Sequence, residues 1–118
     1  MQPSRPLVKD PSVMETLARL AARLGAGAFV AVDYSDDLCA INIGRTHDDL
    51  RLVYFCTFGR TLGRYDVELE LPPTSDSDLP YVSGGWHYNV DFDTLAQLVA
   101  THLGLDRTSR AHEAAPDV

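Results

Sequence analysis

The sequence predicts an α+β domain, an antiparallel sheet of four to five strands with two helices packed on one face. Three observations point to it. Amphipathic helical patterns lie at both ends of the chain, near residues 12–24 and 92–103. Between them run short segments of alternating apolar and polar residues, separated by Gly, Pro, Asp and Ser, as strands and tight turns require. The connections are too short for parallel crossovers, which need about a dozen residues or more. Neighbouring strands should therefore pair antiparallel, with both helices on one side. The order reads α-β-β-β-β-α, and residues 81–89 are either a further short edge strand or an irregular loop. A chain of 118 residues suits one domain. That domain is expected over residues 10–105, with an extended Pro-containing arm at 1–9 and a flexible tail at 106–118.

The first helix follows Pro11, and Ser12 with Glu15 three residues on fits a capping box. Val13, Leu17, Leu20 and Leu24 define one helical face, widened by Met14 and Ala21. Arg19 and Arg23 suit the negative end of the helix dipole, and Gly25 is expected as a left-handed cap. Residues 28–34 and 38–43 read as a hairpin around the turn Ser35-Asp36-Asp37. Residues 50–58 are the strongest strand. Leu50, Leu52, Tyr54, Cys56 and Phe58 alternate on one face, while Val53 and Phe55 make the other face apolar too, which predicts a central strand.

A turn over 59–64 leads to Tyr65, Val67, Leu69 and Leu71 alternating with Asp66, Glu68 and Glu70. That predicts a half-buried strand with an acidic, solvated face. Pro72 and Pro73 stop it, and 74–80 is a polar loop. The second helix spans about 92–103. Asp91 caps it, Phe92, Leu95, Leu98, Val99 and His102 share its face, and Gly104 ends it.

Ten basic residues against seventeen acidic ones give a net charge of −7. A nucleic-acid-binding module would carry a basic stripe instead. The balance suits a soluble protein that meets a basic partner. No apolar run approaches the roughly 18 residues of a membrane span, and residues 1–10 have no signal-peptide pattern, so a cytoplasmic location is expected.

Candidate chemistry is sparse. Cys39 and Cys56 match apolar strand positions and fit no zinc or redox spacing, so both are expected as reduced, buried core cysteines. His47, His87, His102 and His112 form no ligand pair. His47 beside Asp48-Asp49 reads as a solvated turn, and His102 as a partner for the last helix carbonyls. The acidic pairs Asp36-Asp37, Asp48-Asp49, Asp76/Asp78 and Asp91/Asp93 read as solvation and capping. The glycines form neither a P-loop nor a Rossmann turn, and there is no Gly-x-Ser-x-Gly elbow. No catalytic, cofactor-binding or metal-binding residue is assigned, and the chain is not expected to be an enzyme. The most unusual stretch is Ser83-Gly84-Gly85-Trp86. It is either a core-covering aromatic loop or an interface anchor, with Gly84, Gly85, Trp86 and Tyr88 as the partner-binding candidates.

The order of these signals resembles the C subunit family of respiratory complex I and its relatives in membrane-bound hydrogenases. The resemblance runs over residues 14–105 and rests on Val32-Asp33-Tyr34, Arg51-Leu52-Val53-Tyr54, the turn arginines Arg60 and Arg64, the strand ending at Pro72, Pro80-Tyr81-Val82-Ser83-Gly84-Gly85-Trp86, and Leu103-Gly104-Leu105. The family's helix carries acids that residues 95–102 do not, and its His-Pro and Arg-rich extension is missing, so the chain reads as a divergent, shortened relative. The resemblance implies a structural subunit without a cofactor. It would dock on a hydrogenase-large-subunit-like partner at the cytoplasmic side of a membrane complex, without inserting into the membrane. The alternative expectation is a free-standing acidic binding protein, such as a toxin-neutralising immunity protein or a secretion chaperone.

Overall fold

The computed structural model describes residues 7–34, 36–76 and 78–105. Most of the expected arm, residues 1–6, and the expected tail, residues 106–118, therefore lie outside the described residues.

Helix α1 spans Pro11–Leu24. Its cap is Asp10, whose carboxylate accepts the Ser12 backbone N–H at 3.0 Å and also the Ser12 hydroxyl. The expected Ser12 capping box is therefore displaced. Pro11 takes the first helical position, where its missing N–H is no loss, so the cap falls one residue earlier. The two bonds from Ser12 hold the Asp10 carboxyl below the usual carboxylate range.

The buried face of α1 is Val13, Thr16 and Leu20. Met14 points outward, so the stripe is narrower than the spacing of apolar residues suggested. Thr16 is tolerated inside because its hydroxyl bonds the Ser12 carbonyl at 2.7 Å and meets the Tyr65 hydroxyl at 2.9 Å. Gly25 follows the helix with φ 112° and ψ 138°, which is not the left-handed cap expected there.

Five strands follow: β1 Val30–Val32, β2 Ala40–Gly44, β3 Leu52–Cys56, β4 Arg64–Leu71 and β5 Val82–Asp91. They form one antiparallel meander in the spatial order β1-β2-β3-β4-β5. The fold is thus α+β with a five-stranded sheet. The stretch left open between strand and loop is a ten-residue edge strand, and β3 is central, as its two apolar faces predicted.

Helix α2, Phe92–Leu103, starts directly from β5. Asp91 caps it by accepting the Thr94 N–H at 2.8 Å, and Gly104 ends it in the left-handed conformation. Both helices cover the same face of the sheet. Val13 and Leu20 of α1 and Leu95, Val99 and Leu103 of α2 enter the core. There they meet Ile41, Ile43, Val53, Phe55, Tyr65 and Val67 from the three middle strands. The core side of β3 is therefore Val53/Phe55, and the longer alternation Leu52/Tyr54/Cys56 faces away. Among the described residues, no helix is long and apolar enough to cross a membrane.

Two expectations fail at the margins of this core. Cys39 precedes β2 in a turn and Cys56 ends β3, so both free thiols are half-buried at sheet borders rather than in the core. Burial, with Asp66 adding, raises the Cys56 thiol's pKa. His102 is buried, and its Nε2 lies 2.9 Å from the Glu70 carbonyl oxygen. It thus bonds a strand, not the end of its own helix. Arg51 Nε donates to the His102 carbonyl at 2.8 Å, fixing the end of α2 on the sheet.

Candidate functional site

The strand register builds the site. Val32 pairs with Asn42, Asn42 with Tyr54, Tyr54 with Glu68, and Glu68 with Trp86. Directly opposed residues share a face, so this row crosses the sheet on the side away from the helices. Glu70 lies two residues from Glu68 on the same face and pairs with Leu52 and Ser83. Pro80 and Tyr81, at the end of the loop after β4, close over one side, and Tyr34 rises from the end of β1 on the other. They line a half-open cavity of about 570 Å³, within the range of ligand-sized clefts.

The expected solvated acidic face is a correction. Glu68 is only 4% exposed and Glu70 only 7%. The Tyr81 hydroxyl donates to Glu68 Oε1 at 2.8 Å, and the Asn42 amide donates to Glu70 Oε2 at 3.1 Å. Burial raises the Glu70 carboxyl above the ordinary glutamate range; the Asn42 bond opposes this and the Glu68 charge adds to it. The bond to Glu68 pushes the Tyr81 phenol up to about 12, and burial raises the Tyr54 phenol as well. Among the described residues, ion pairs reach Asp33, Asp66 and Asp93, and none reaches Glu68 or Glu70.

Beside the carboxylates stands an aromatic row. Trp86 is 43% exposed and Tyr88 63%. Their rings stack with centroids 5.6 Å apart, and Tyr54 meets Trp86 edge-on at 5.9 Å. Two β-bulges fix this row. Between Glu68 and Glu70 on β4, the partner strand runs from Trp86 to Ser83, one residue more; between Tyr65 and Val67 it runs from Val90 to His87, again one more. Each bulge places a residue at positive φ, Gly85 at 120° and Asn89 at 54°. A Cβ on Gly84 would sit 3.2 Å from the Leu69 carbonyl oxygen. The two glycines therefore do not swing Trp86 off the sheet. They bend the strand so that Trp86 and Tyr88 continue the Tyr54 surface.

Of the expected interface residues, the structure brings Trp86 and Tyr88 together and uses Gly84 and Gly85 as backbone. Asn42, Tyr54, Glu68, Glu70 and Tyr81 were missed. A signal for them was present in β3. A strand apolar on both faces has both faces covered, so the acids of its neighbour on the second face could not be wholly in water. The remaining candidates stay apart. His47 is exposed in a turn, Asp37 accepts the Cys39 N–H, Asp49 accepts the Arg51 N–H, and Asp91 caps α2. Among the described residues no three His, Cys, Asp or Glu side chains converge as metal ligands.

A second cleft, of about 420 Å³, lies between the start of α1 and the β3–β4 turn. Its guanidinium groups are engaged within the fold. Arg60 pairs with Asp66 at 2.9 Å, Arg64 bonds Asn89, and Arg19 lies over the Phe92 ring at 3.9 Å. No protein-family model, curated protein or solved structure matches this chain.

Proposed function

We propose that the chain is a non-catalytic protein-binding domain whose partner seats on the helix-free face of the sheet. The observation that carries this is the exposed Trp86–Tyr88 stack, continuous with Tyr54 and held in place by two bulges. Large rigid aromatic side chains of this kind bury much apolar area at small entropic cost and anchor interfaces. The sheet face beneath the helices is filled by the core, whereas the opposite face carries the exposed aromatic stack.

Both functions expected from the sequence would use this face. One is a structural subunit docked on a hydrogenase-large-subunit-like protein of a redox assembly. The other is a free-standing acidic protein that neutralises or escorts a basic one. The pair of buried carboxylates, without an ion-pair partner among the described residues, favours the second, because an incoming basic group would relieve their desolvation.

The test is affinity capture from the native cell with the unaltered chain, Trp86→Ala, Tyr88→Ala and, on the helix side, Met14→Ala. The partner should be lost with the two sheet-face variants and kept with Met14→Ala. Equal capture by all four would move the interface off this face. The captured protein's identity, iron–sulfur and large subunits or a basic protein, decides between the two forms.

A further inference from the structure

The cavity beside Trp86 combines two features that separately mean little. Its floor carries Glu68 and Glu70, two residues apart on one side of β4, so their Cα atoms are spaced about 7 Å. Each receives a hydrogen bond from a neutral group, a phenol or an amide. A carboxylate taken out of water without an opposing charge is costly, so the cavity favours any cation that can enter it. Its rim is aromatic, with Tyr34, Tyr54, Tyr81 and Trp86. Such rings attract a cation through their π faces, indole most strongly.

The donor set selects among cations. A hard metal ion takes six or more oxygen ligands, whereas two carboxylates under aromatic rings suit an organic cation. A guanidinium serves both features best. Its planar fork matches a carboxylate through two N–H bonds, and its flat face stacks on an aromatic ring, which a compact ammonium group cannot do. The source of the cation follows from the surroundings. The cavity mouth adjoins the exposed Trp86–Tyr88 stack, which offers contact area beyond a single side chain. A net charge of −7 steers a basic macromolecule toward the protein.

We infer that this cavity receives an arginine side chain from a basic protein partner, with its guanidinium over Glu68 and Glu70 and against the Trp86 ring. The inference rests on partner docking at this face and names the chemistry of that partner.

Trp86 is the chain's single tryptophan, so its fluorescence reports on the cavity directly. The probes are three capped tripeptides, glycine-X-glycine, with arginine, lysine or the neutral isostere citrulline at X. The arginine peptide should change Trp86 emission saturably below about 10 mM, and citrulline should bind about tenfold or more weakly, a difference of about 1.4 kcal/mol. The Glu68→Gln/Glu70→Gln double variant should lose the difference between arginine and citrulline. No saturable response, or equal binding of citrulline, overturns the inference; equal binding of lysine overturns the guanidinium assignment. The peptide comparison uses the unaltered chain and decides the matter even if the double variant fails to fold. If capture depends on Trp86 but the arginine peptide fails, the cation site falls and docking stands. If the peptide binds while capture ignores Trp86, docking falls and the cavity keeps its chemistry.

Discussion

The two faces of this sheet are made by the same strands and differ in what finishes them. On one face Ile41, Ile43, Val53, Phe55 and Val67 lie fully buried beneath α1 and α2. On the other, Asn42, Glu68 and Glu70 are nearly as deeply buried, yet a loop, three tyrosines and a tryptophan surround them, and among the described residues no helix covers them. Burial alone therefore does not distinguish the two faces. The first face is closed by apolar contact and needs nothing further. The second buries two carboxylates that no ion pair reaches among the described residues, and it adjoins a cavity and exposed aromatic rings.

The contrast is sharpest at Phe55, which is fully buried and meets Tyr65 edge-on at 5.9 Å. Phe55→Ala should cost about 3–5 kcal/mol of stability in urea unfolding, the usual range for truncating a core phenylalanine. A loss below about 1 kcal/mol would mean that the helix-covered face is not the one that holds the fold together.

Trp86→Ala is expected to behave in the opposite way. Partner affinity should fall by about 2 kcal/mol or more, while stability should fall by only about 1 kcal/mol, the scale of the lost aromatic pairing. A badly destabilised chain whose folded fraction still binds normally would return Trp86 to a structural role.

Glu70→Gln keeps the shape and the bond from Asn42 but removes the charge. Because the folded protein holds the Glu70 proton more tightly than the unfolded chain does, the native protein should lose stability as pH rises from about 4.3, the ordinary glutamate value, through the raised folded value. The glutamine variant should therefore have the higher thermal midpoint at neutral pH, and the gap should close by about pH 4. A variant less stable at neutral pH would show that the carboxylate is already compensated within the chain.

The smallest effect belongs to His102. Burial, with Arg51 adding, lowers its pKa, although the Glu70 and Leu52 backbones and the Asp49 charge oppose the shift. The unfolded chain therefore takes up a proton first. The neutral imidazole's contribution to stability is present above the ordinary value of about 6.5 and is lost as pH falls from there through the depressed folded value. His102→Gln should flatten that part of the stability profile in denaturant titrations. An imidazole that titrates at or above its ordinary value by NMR would reverse the sign.

Helix α2 was legible in its bounds, because cap, apolar spacing and terminal glycine are all local signals, whereas the partner of His102 lies on a distant strand. Helix α1 was legible in its span but not at its ends or its full buried face: Asp10 and Ser12 compete for the cap and Pro11 decides, Gly25 is not left-handed, and Met14 points outward. The central place of β3 followed from its double apolar pattern. The acid-floored cavity did not emerge, since alternation assigns Glu68 and Glu70 to a face without saying what lies over it. Tyr81 reaches Glu68 across thirteen residues, and Asn42 reaches Glu70 across twenty-eight. Trp86 and Tyr88 were readable as an unusual pair, but their partner Tyr54 comes from a strand two places away in the sheet.

The two bulges have a consequence for the outline of the molecule. A straight outer strand of ten residues would present unpaired backbone groups in register, a template on which another chain could add and an invitation to aggregation. With an extra residue at each of two points, β5 cannot offer such a continuous run. The opposite border is guarded differently, since β1 is only three residues long. With one border interrupted and the other abbreviated, lateral strand addition is discouraged on both sides, so the proposed docking would have to use the broad face of the sheet.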